Sequence, residues 1–272
     1  MKYLSFTQNQ LSGSLSSSIS VMSELISLGI ADNHLTGEVP STLCDILNLQ
    51  ELSLQLNFYN GQIPECLGDL VNMQHFSLNT NHFSGQIPSN FGKLTSLISL
   101  SVQYNDLTGP LPSELGGLSN LLGFFVESNL LTGTLSSGIG NAWNLTALVA
   151  NDNYLTGEIP TSLVNLKNLT LMQLNTNSFK GTIPVLISEL IRLETLLLYN
   201  NKFSGGLSEA FSIQQVALST IDISENNFNG PIPSTVFSLP SLSIISAVKN
   251  CFTGSLPSEM CNAINLVNID FD

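Results

Sequence analysis

The sequence predicts an α/β solenoid of about eleven 24-residue coils, each adding one short strand to a parallel sheet. Asparagines recur at residues 9, 33, 57, 81, 105, 129, 153, 177 and 201, each 24 residues after the last. Asn226 and Asn250 continue the series after one 25-residue step, whose extra residue we place as a bulge within Ser212–Ala217. A glycine follows each of these asparagines at plus four. Such a period indicates stacked repeats, because a single coil cannot bury its apolar face without neighbours.

The residues before each asparagine predict the strand. Apolar residues stand at minus eight, minus five and minus three, as Leu97, Leu100 and Val102 do before Asn105. The alternation at minus five and minus three is typical of a strand with one buried face. Positions minus six, minus four and minus two therefore point away from the core, onto what we call the open face.

The residues from the asparagine onward predict turns. The asparagine side chain has donors and an acceptor for backbone groups where the chain turns inward, and stacked copies would form a ladder. The glycine at plus four fits a tight turn or a positive φ. Proline at plus seven, as at Pro64, suits an edge or turn. Apolar residues from plus seven to plus fifteen indicate a short helical or 3₁₀ turn.

Composition excludes several classes of function. Only 10% of residues are charged and 43% are hydrophobic, so the chain can bury a large core. Seven Lys and Arg face twenty Asp and Glu, a net charge of -13 that disfavours nucleic acid and anionic membranes as partners. The sequence contains no apolar run of about 18 residues, so we expect no direct membrane insertion of this segment. His34, His75 and His82 lack partners at metal-binding spacing, and we expect no metal, no cofactor and no enzymatic activity.

Residues 105–121, Asn-Asp-Leu-Thr-Gly-Pro-Leu-Pro-Ser-Glu-Leu-Gly-Gly-Leu-Ser-Asn-Leu, resemble the plant-type leucine-rich repeat with its Leu-x-Gly-x-Ile-Pro signature. The resemblance covers essentially the whole chain. It implies a right-handed superhelix with a concave parallel β-sheet, a second set of short strands, and 3₁₀ or short helical segments on the convex side.

The resemblance also implies a function. It points to a non-enzymatic recognition module like the ectodomains of leucine-rich-repeat receptor-like kinases and receptor-like proteins. Such a module would bind a protein, peptide or glycan on its concave or lateral surface, outside the cell or at its surface, with any membrane tether in a segment outside these residues. The alternatives are a secreted inhibitor of the polygalacturonase-inhibitor type, a cell-wall structural protein and, more distantly, an ice-surface binder.

The domain organisation follows from the same periodicity. Residues 1–272 are expected to form one leucine-rich-repeat solenoid domain. The first coil begins at its strand and the last stops inside a twelfth strand, and the paired-cysteine cap of the family is not seen at either end. We therefore expect a fragment of a longer chain, since open ends would expose apolar faces.

The open face carries the predicted binding residues. In the N-terminal half it is small and polar, with Ser53, Ser77 and Ser101 forming a row that motivates the ice-binding alternative. Further along it turns apolar, and clustered exposed apolar side chains are typical of a binding site. The predicted ligand-binding residues are Phe125, Glu127, Val149, Leu171, Leu197 and Tyr199, with Asp152, Asp222 and Glu225 at the rim. The other interpretation is that these apolar residues pack against a further segment or a second copy.

Cysteines and sequons bear on the compartment. Cys44 and Cys66 lie at plus eleven and plus nine of successive coils, and Cys251 and Cys261 lie in one coil. Each pair could form a disulfide in an oxidising compartment, or the four could be small buried apolar residues. Asn144 and Asn168 begin Asn-Leu-Thr sequons one coil apart and are predicted sites of N-glycosylation.

Overall fold

The computed structural model describes residues 1–208 and 210–271, whose contacts divide the chain into two compact units, Met1–Thr132 and Gly133–Asp272. Both units are built from the same coil, which contains a main-sheet strand, a tight turn at the repeated asparagine, a lateral strand and a short helical turn. The leucine-rich-repeat fold predicted from the sequence is confirmed, whereas a single domain over residues 1–272 stays a prediction.

Each unit has a parallel main sheet with one strand per coil. In the first unit the strands are Tyr3–Ser5, Ser27–Gly29, Glu51–Ser53, His75–Ser77, Ser99–Ser101 and Gly123–Phe125. In the second unit they are Ala147–Val149, Leu171–Gln173, Thr195–Leu197, Thr220–Asp222, Ile244–Ser246 and Asn268–Asp270. Partners are one repeat apart, as in the pairing of Leu52 with Phe76, so equivalent side chains stack directly on one another.

A second parallel sheet, the lateral sheet, follows the asparagines in each unit, as the family resemblance implied. In the first unit its strands are Ser12–Gly13, His34–Gly37, Phe58–Gln62, His82–Gly85, Asp106–Pro110 and Leu130–Thr132. In the second unit they are Thr156–Gly157, Ser178–Gly181, Lys202–Gly205, Asn227–Gly230 and Cys251–Phe252. Paired residues of the lateral sheet are 22 residues apart in sequence, as Gly61 and Phe83 are, rather than 24 as in the main sheet. Paired residues of neighbouring lateral strands therefore do not occupy the same position of the repeat.

Short helical turns close the coils on the side away from the main-sheet strand, as predicted. The 3₁₀ helices are Ser17–Val21, Ser41–Asp45, Glu65–Asp69, Ser89–Lys93, Ser113–Gly117, Ser137–Asn141, Thr161–Asn165, Val185–Glu189 and Ser258–Asn262, and Ser234–Phe237 is a single α-helical turn. Most begin directly after proline, whose fixed φ and missing N–H suit a helix start. Apart from Ser258–Asn262, which buries no residue, each buries at least one apolar residue, such as Leu43 or Phe91, against the core.

The repeated asparagines form the predicted ladder along the edge of the core. Asn81 is 6% exposed, its Nδ2 donates to Leu54 O at 3.1 Å and to Leu78 O at 3.0 Å, and its Oδ1 accepts from Tyr59 N at 3.0 Å. Asn105 repeats the pattern one coil later. The ladder thus satisfies backbone groups that the turn would otherwise leave buried without partners.

The residue before each ladder asparagine has left-handed backbone, for example Tyr104 at φ 55°. Glycine at plus four is also left-handed, and at Gly85 (φ 75°) a Cβ would lie 2.9 Å from Gln62 Cγ. Positive φ therefore favours glycine in every coil and a close contact adds to it at Gly85, whereas the residue before the asparagine adopts left-handed backbone with many kinds of side chain.

The 25-residue coil absorbs its extra residue where the sequence predicted. Turns occupy this stretch among the described residues 210–218. Gln215 is completely buried, its Nε2 donates to Ile187 O at 3.1 Å and its Oε1 accepts from Ser212 N at 3.1 Å. A buried amide bonded at both ends thus fastens the bulge to the preceding coil.

Candidate ligand-binding face

The open face of the first unit carries two predicted site residues, Phe125 and Glu127, and both are half-buried. Phe125 ends the strand Gly123–Phe125, and a Cβ placed on Gly123 would lie 2.5 Å from its Cε2. The phenyl ring therefore lies over the glycine, which leaves room for it. Ser53 and Ser77 are half-buried and Ser101 is buried, so the predicted serine row is not uniformly exposed.

The open face of the second unit carries the other predicted site residues. Leu171, Leu197 and Tyr199 are half-buried. Val149 is only 5% exposed, so its prediction as an exposed contact residue was wrong. Strands of a sheet lie about 4.8 Å apart, and a small branched side chain at that spacing is covered by its neighbours.

Tyr199 lies within a polar cluster that we call the Tyr199 cluster, formed with Asp152, Asn175, Thr176 and Asp222. Its hydroxyl is hydrogen-bonded to the Thr176 side chain, and the carboxylates of Asp152 and Asp222 act on it from coils on either side. Burial, followed by these two negative charges, raises the pKa of the Tyr199 phenol, and the Thr176 hydrogen bond opposes the shift. The phenol therefore stays neutral and experiences a negative electrostatic potential.

Sequence reasoning missed two members of this cluster. Thr176 has left-handed backbone at φ 52° and precedes a ladder asparagine. Asn175 is 3% exposed, and no described residue donates a hydrogen bond to its Oδ1. The signal in the sequence was its minus-two position, beside Tyr199 of the next coil.

The predicted rim residues divide between two roles. Asp222 Oδ1 accepts from Ser224 N at 3.0 Å, and Asp152 Oδ2 accepts from Asn151 Nδ2 at 2.7 Å. These bonds hold the carboxylates in place without neutralising them. Glu225 instead forms an exposed ion pair with Lys249 at 2.7 Å, so its charge is compensated.

The lateral sheet of the first unit holds a row that the sequence did not predict. The rings of His34 and Phe58 have centroids 6.0 Å apart, and those of Phe58 and His82 are 6.3 Å apart. His82 Nδ1 lies 3.8 Å from Asp106 Oδ2, and both side chains are largely exposed. The phenyl ring of Phe58 thus separates the two imidazoles. Within the described part of the chain, no group of three or more His, Cys, Asp or Glu side chains could hold a metal ion.

The predicted glycosylation sites lie beside the helical turns. Asn144 and Asn168 are both half-buried. Asn168 Nδ2 donates to Trp143 O at 3.3 Å and its Oδ1 accepts from Arg192 Nη1 at 2.8 Å. Asn168 thus belongs to a second row of asparagines that bridge successive coils, together with Asn48, Asn72 and Asn120. Its glycosylation stays a prediction.

The cysteines follow only one of the two suggested pairings. Cys44 and Cys66 are joined in a disulfide with their Cα atoms 5.8 Å apart. Cys251 and Cys261 are both free and exposed, so the suggested pairing within one coil was wrong, as was the alternative that all four are buried. Cys251 lies in a lateral strand and Cys261 in a 3₁₀ helix, so the coil separates them, whereas Cys44 and Cys66 lie on adjacent 3₁₀ helices.

No helix among the described residues combines the length and apolar character that crossing a bilayer requires.

Comparison with known proteins identifies the repeats. The family model described as Leucine Rich Repeat matches residues 72–94, 96–118, 192–212 and 217–239. These four segments are therefore leucine-rich repeats. Comparison of the sequence with curated proteins gave no match.

Solved structures of plant receptors resemble the whole chain. The plant peptide hormone receptor RGFR1, solved in complex with RGF2, is 30% identical with a TM-score of 0.95, covering 99% of this chain and 43% of that one. A TDR receptor is 35% identical with a TM-score of 0.93, covering 98% of this chain and 46% of that one. The chain thus spans less than half the length of these receptors.

The solved structure of a protein that is not a receptor also resembles the chain. A plant ice-binding protein is 27% identical with a TM-score of 0.74, covering 89% of this chain and 80% of that one. The fold is therefore shared by proteins with different ligands, and function must be argued from the open face.

Proposed function

We propose that this chain is a non-enzymatic recognition module that binds a peptide on the open face of its main sheet, as part of a receptor-like protein outside the cell. The observation that carries the proposal is the Tyr199 cluster beside the half-buried Leu197, with the half-buried Leu171 further along the same sheet face, which is turned away from the core. The plant receptors that resemble the chain include one solved with a peptide hormone, which supports the choice of ligand class.

Rigidity is the physical basis of the proposed binding. The main-sheet pairing and the asparagine ladder hold each open-face residue in a fixed position relative to the next coil. A preorganised surface loses little conformational entropy when a ligand binds, so more of the contact energy appears as affinity. An apolar side chain flanked by oriented polar groups also matches the usual composition of a binding hot spot.

The test is a selection of peptides against the full chain, followed by affinity measurements on variants. We expect Tyr199→Ala to weaken the selected peptides by at least tenfold, since a central aromatic contact contributes about 2 kcal/mol. Phe125→Ala tests the same role in the first unit. The matched control is Tyr154→Ala, because Tyr154 is 59% exposed and lies beside the lateral sheet. Failure to select any peptide, or equal losses for Tyr199→Ala and Tyr154→Ala, would reject the proposal.

We also propose that the protein is secreted or displayed at the cell surface. The Cys44–Cys66 disulfide supports an oxidising compartment, and Asn144 and Asn168 begin two sequons at turns where both asparagines are half-buried. Expression through the secretory pathway should give a mass that falls by one glycan in each of Asn144→Gln and Asn168→Gln. An unmodified mass for the secreted protein would contradict the glycan assignment.

Ice-surface binding is the second candidate, favoured by the similarity to a plant ice-binding protein over most of both chains. The irregular exposure of Ser53, Ser77 and Ser101 is unfavourable for a flat ice-binding surface on the open face. Ice-recrystallisation assays on the purified chain separate the candidates. Inhibition that survives Tyr199→Ala, without peptide binding, would favour this second function.

A further inference from the structure

We propose that the Tyr199 cluster binds the cationic side chain of a peptide ligand, with Asp152 and Asp222 as the countercharges and Asn175 Oδ1 as a hydrogen-bond acceptor. This inference rests on the proposed function and specifies the ligand chemistry of that site. An arginine side chain is the preferred occupant.

Backbone hydrogen bonds between coils bring the cluster together. Asp152 N donates to Asn175 O at 3.2 Å, and Thr176 N donates to Tyr199 O at 2.9 Å. One coil further on, Leu198 N donates to Asp222 O at 2.8 Å. The residues thus lie on consecutive coils of the second unit, and the rigid repeat fixes their spacing.

Asn175 supplies an independent indication of a ligand. The residue is only 3% exposed, and its Oδ1 accepts no hydrogen bond from any described residue. An unpaired buried acceptor is unfavourable, and a ligand N–H would satisfy it. Asn175 stands at minus two, between Asn151 and Tyr199 of the neighbouring coils, so its amide projects to the same face as the phenol ring.

The charge around the site is negative and has no cation of its own. The open-face positions of the second unit, minus six, minus four and minus two of each coil, contain no Lys or Arg. Lys167 and Lys249 are engaged in exposed ion pairs with Glu189 and Glu225. Burial first, and then the field of these two carboxylates, raises the pKa of the Tyr199 phenol. A bound cation would therefore be attracted by both carboxylates.

The surrounding side chains suit arginine. The half-buried Leu197 stands two residues before Tyr199 on the same face of the strand and can cover an aliphatic stem. The Tyr199 ring offers a face for a cation–π contact. A guanidinium carries five donors in a planar fork, enough for two carboxylates and an amide oxygen, whereas an ammonium carries three.

The experiment uses a library of hexapeptides with acetylated and amidated ends, so that side chains are the only cations. We expect the full chain to select arginine at one position, and replacement of that arginine by norleucine to weaken binding at least tenfold. Asp152→Asn combined with Asp222→Asn should abolish the arginine preference, because it removes both negative charges. Each asparagine keeps an oxygen that can accept the hydrogen bond from Asn151 or Ser224, so the local structure should be retained. Glu158→Gln, which removes an exposed acid beside the lateral sheet, should leave the preference unchanged.

Two results would overturn the inference while leaving peptide recognition intact. One is selection of peptides without Arg or Lys, and the other is an arginine preference that survives the double variant. Selection of no peptide would instead reject the proposed function together with this inference. Thermal unfolding of each variant within about 2 °C of the parent checks that the fold is retained.

Discussion

Replacement of one ladder asparagine should destabilise the fold far more than replacement of an exposed one. In Asn81→Ala the Tyr59 N–H loses the acceptor at 3.0 Å that Asn81 Oδ1 provides, and Tyr59 is fully buried. An orphaned buried donor costs about 1–3 kcal/mol. The carbonyls lose less, since Leu54 O still accepts from Asn57 Nδ2 at 3.2 Å. Adding about 1 kcal/mol for these weakened bonds gives an expected loss of about 3 kcal/mol in the free energy of unfolding.

The matched control is Asn120→Ala. Asn120 Nδ2 also bridges coils, to Thr95 O at 2.8 Å, but the site is exposed, so water replaces the lost partner. We expect a loss below about 1 kcal/mol. Urea unfolding followed by far-ultraviolet circular dichroism measures both, at constant m-value.

Amide hydrogen exchange makes the test local. The Tyr59 amide should lose protection in Asn81→Ala while amides of the main-sheet strands keep theirs, because each coil depends mainly on its neighbours. Equal free-energy losses for the buried and exposed variants, or a Tyr59 amide that stays protected, would refute the ladder as the source of the stabilisation.

Three further predictions concern single positions. No described residue hydrogen-bonds the buried Tyr59 hydroxyl, and burial raises the pKa of this phenol. Tyr59→Phe should therefore stabilise the fold by about 1 kcal/mol and reduce the stability loss expected of the wild type above about pH 10, while the contribution of Tyr199, whose pKa is also raised, remains. In Gly140→Ala the new Cβ would lie 2.3 Å from a backbone oxygen, so thermal unfolding should reveal a loss of about 1–3 kcal/mol, against almost none for Gly206→Ala, where the nearest atom is 3.7 Å away. Reduction of the Cys44–Cys66 disulfide, which closes a 22-residue separation, should cost about 3 kcal/mol in urea unfolding, and an unchanged midpoint would contradict that loop-closure estimate.

The buried half of the coil was predictable because its requirements repeat in every copy. Leu100 and Val102 are completely buried as the alternation indicated, and the ladder asparagines make the backbone contacts that their chemistry suggested. Each of these positions meets the same neighbours above and below. Eleven copies of one environment therefore leave a periodic signal in the sequence.

The open face was less predictable because its exposure depends on neighbours that differ from coil to coil. Val149 and Leu197 both stand at minus four, yet Val149 is 5% exposed and Leu197 is half-buried. Position in the repeat fixes the direction of a side chain but not the size of the side chains stacked beside it. The same reasoning explains the cysteines, where proximity came from stacking between coils and not from closeness along the chain.

The tight turn before each asparagine explains how the coil can carry a variable binding surface. The residue there has left-handed backbone, which costs a non-glycine residue about 1–2 kcal/mol. Backbone bonds from that turn to the next coil, such as Thr176 N to Tyr199 O and Asn177 N to Asn200 O, offset the cost whatever the side chain is. Leucine, tyrosine, threonine and acidic residues all occupy this position along the chain. Because the main chain supplies the stability, substitutions at minus one and minus two can change what the open face binds without disturbing the core. Four of the five residues of the Tyr199 cluster stand at such positions, Asp152 and Thr176 at minus one and Asn175 and Tyr199 at minus two, while Asp222 stands at minus four.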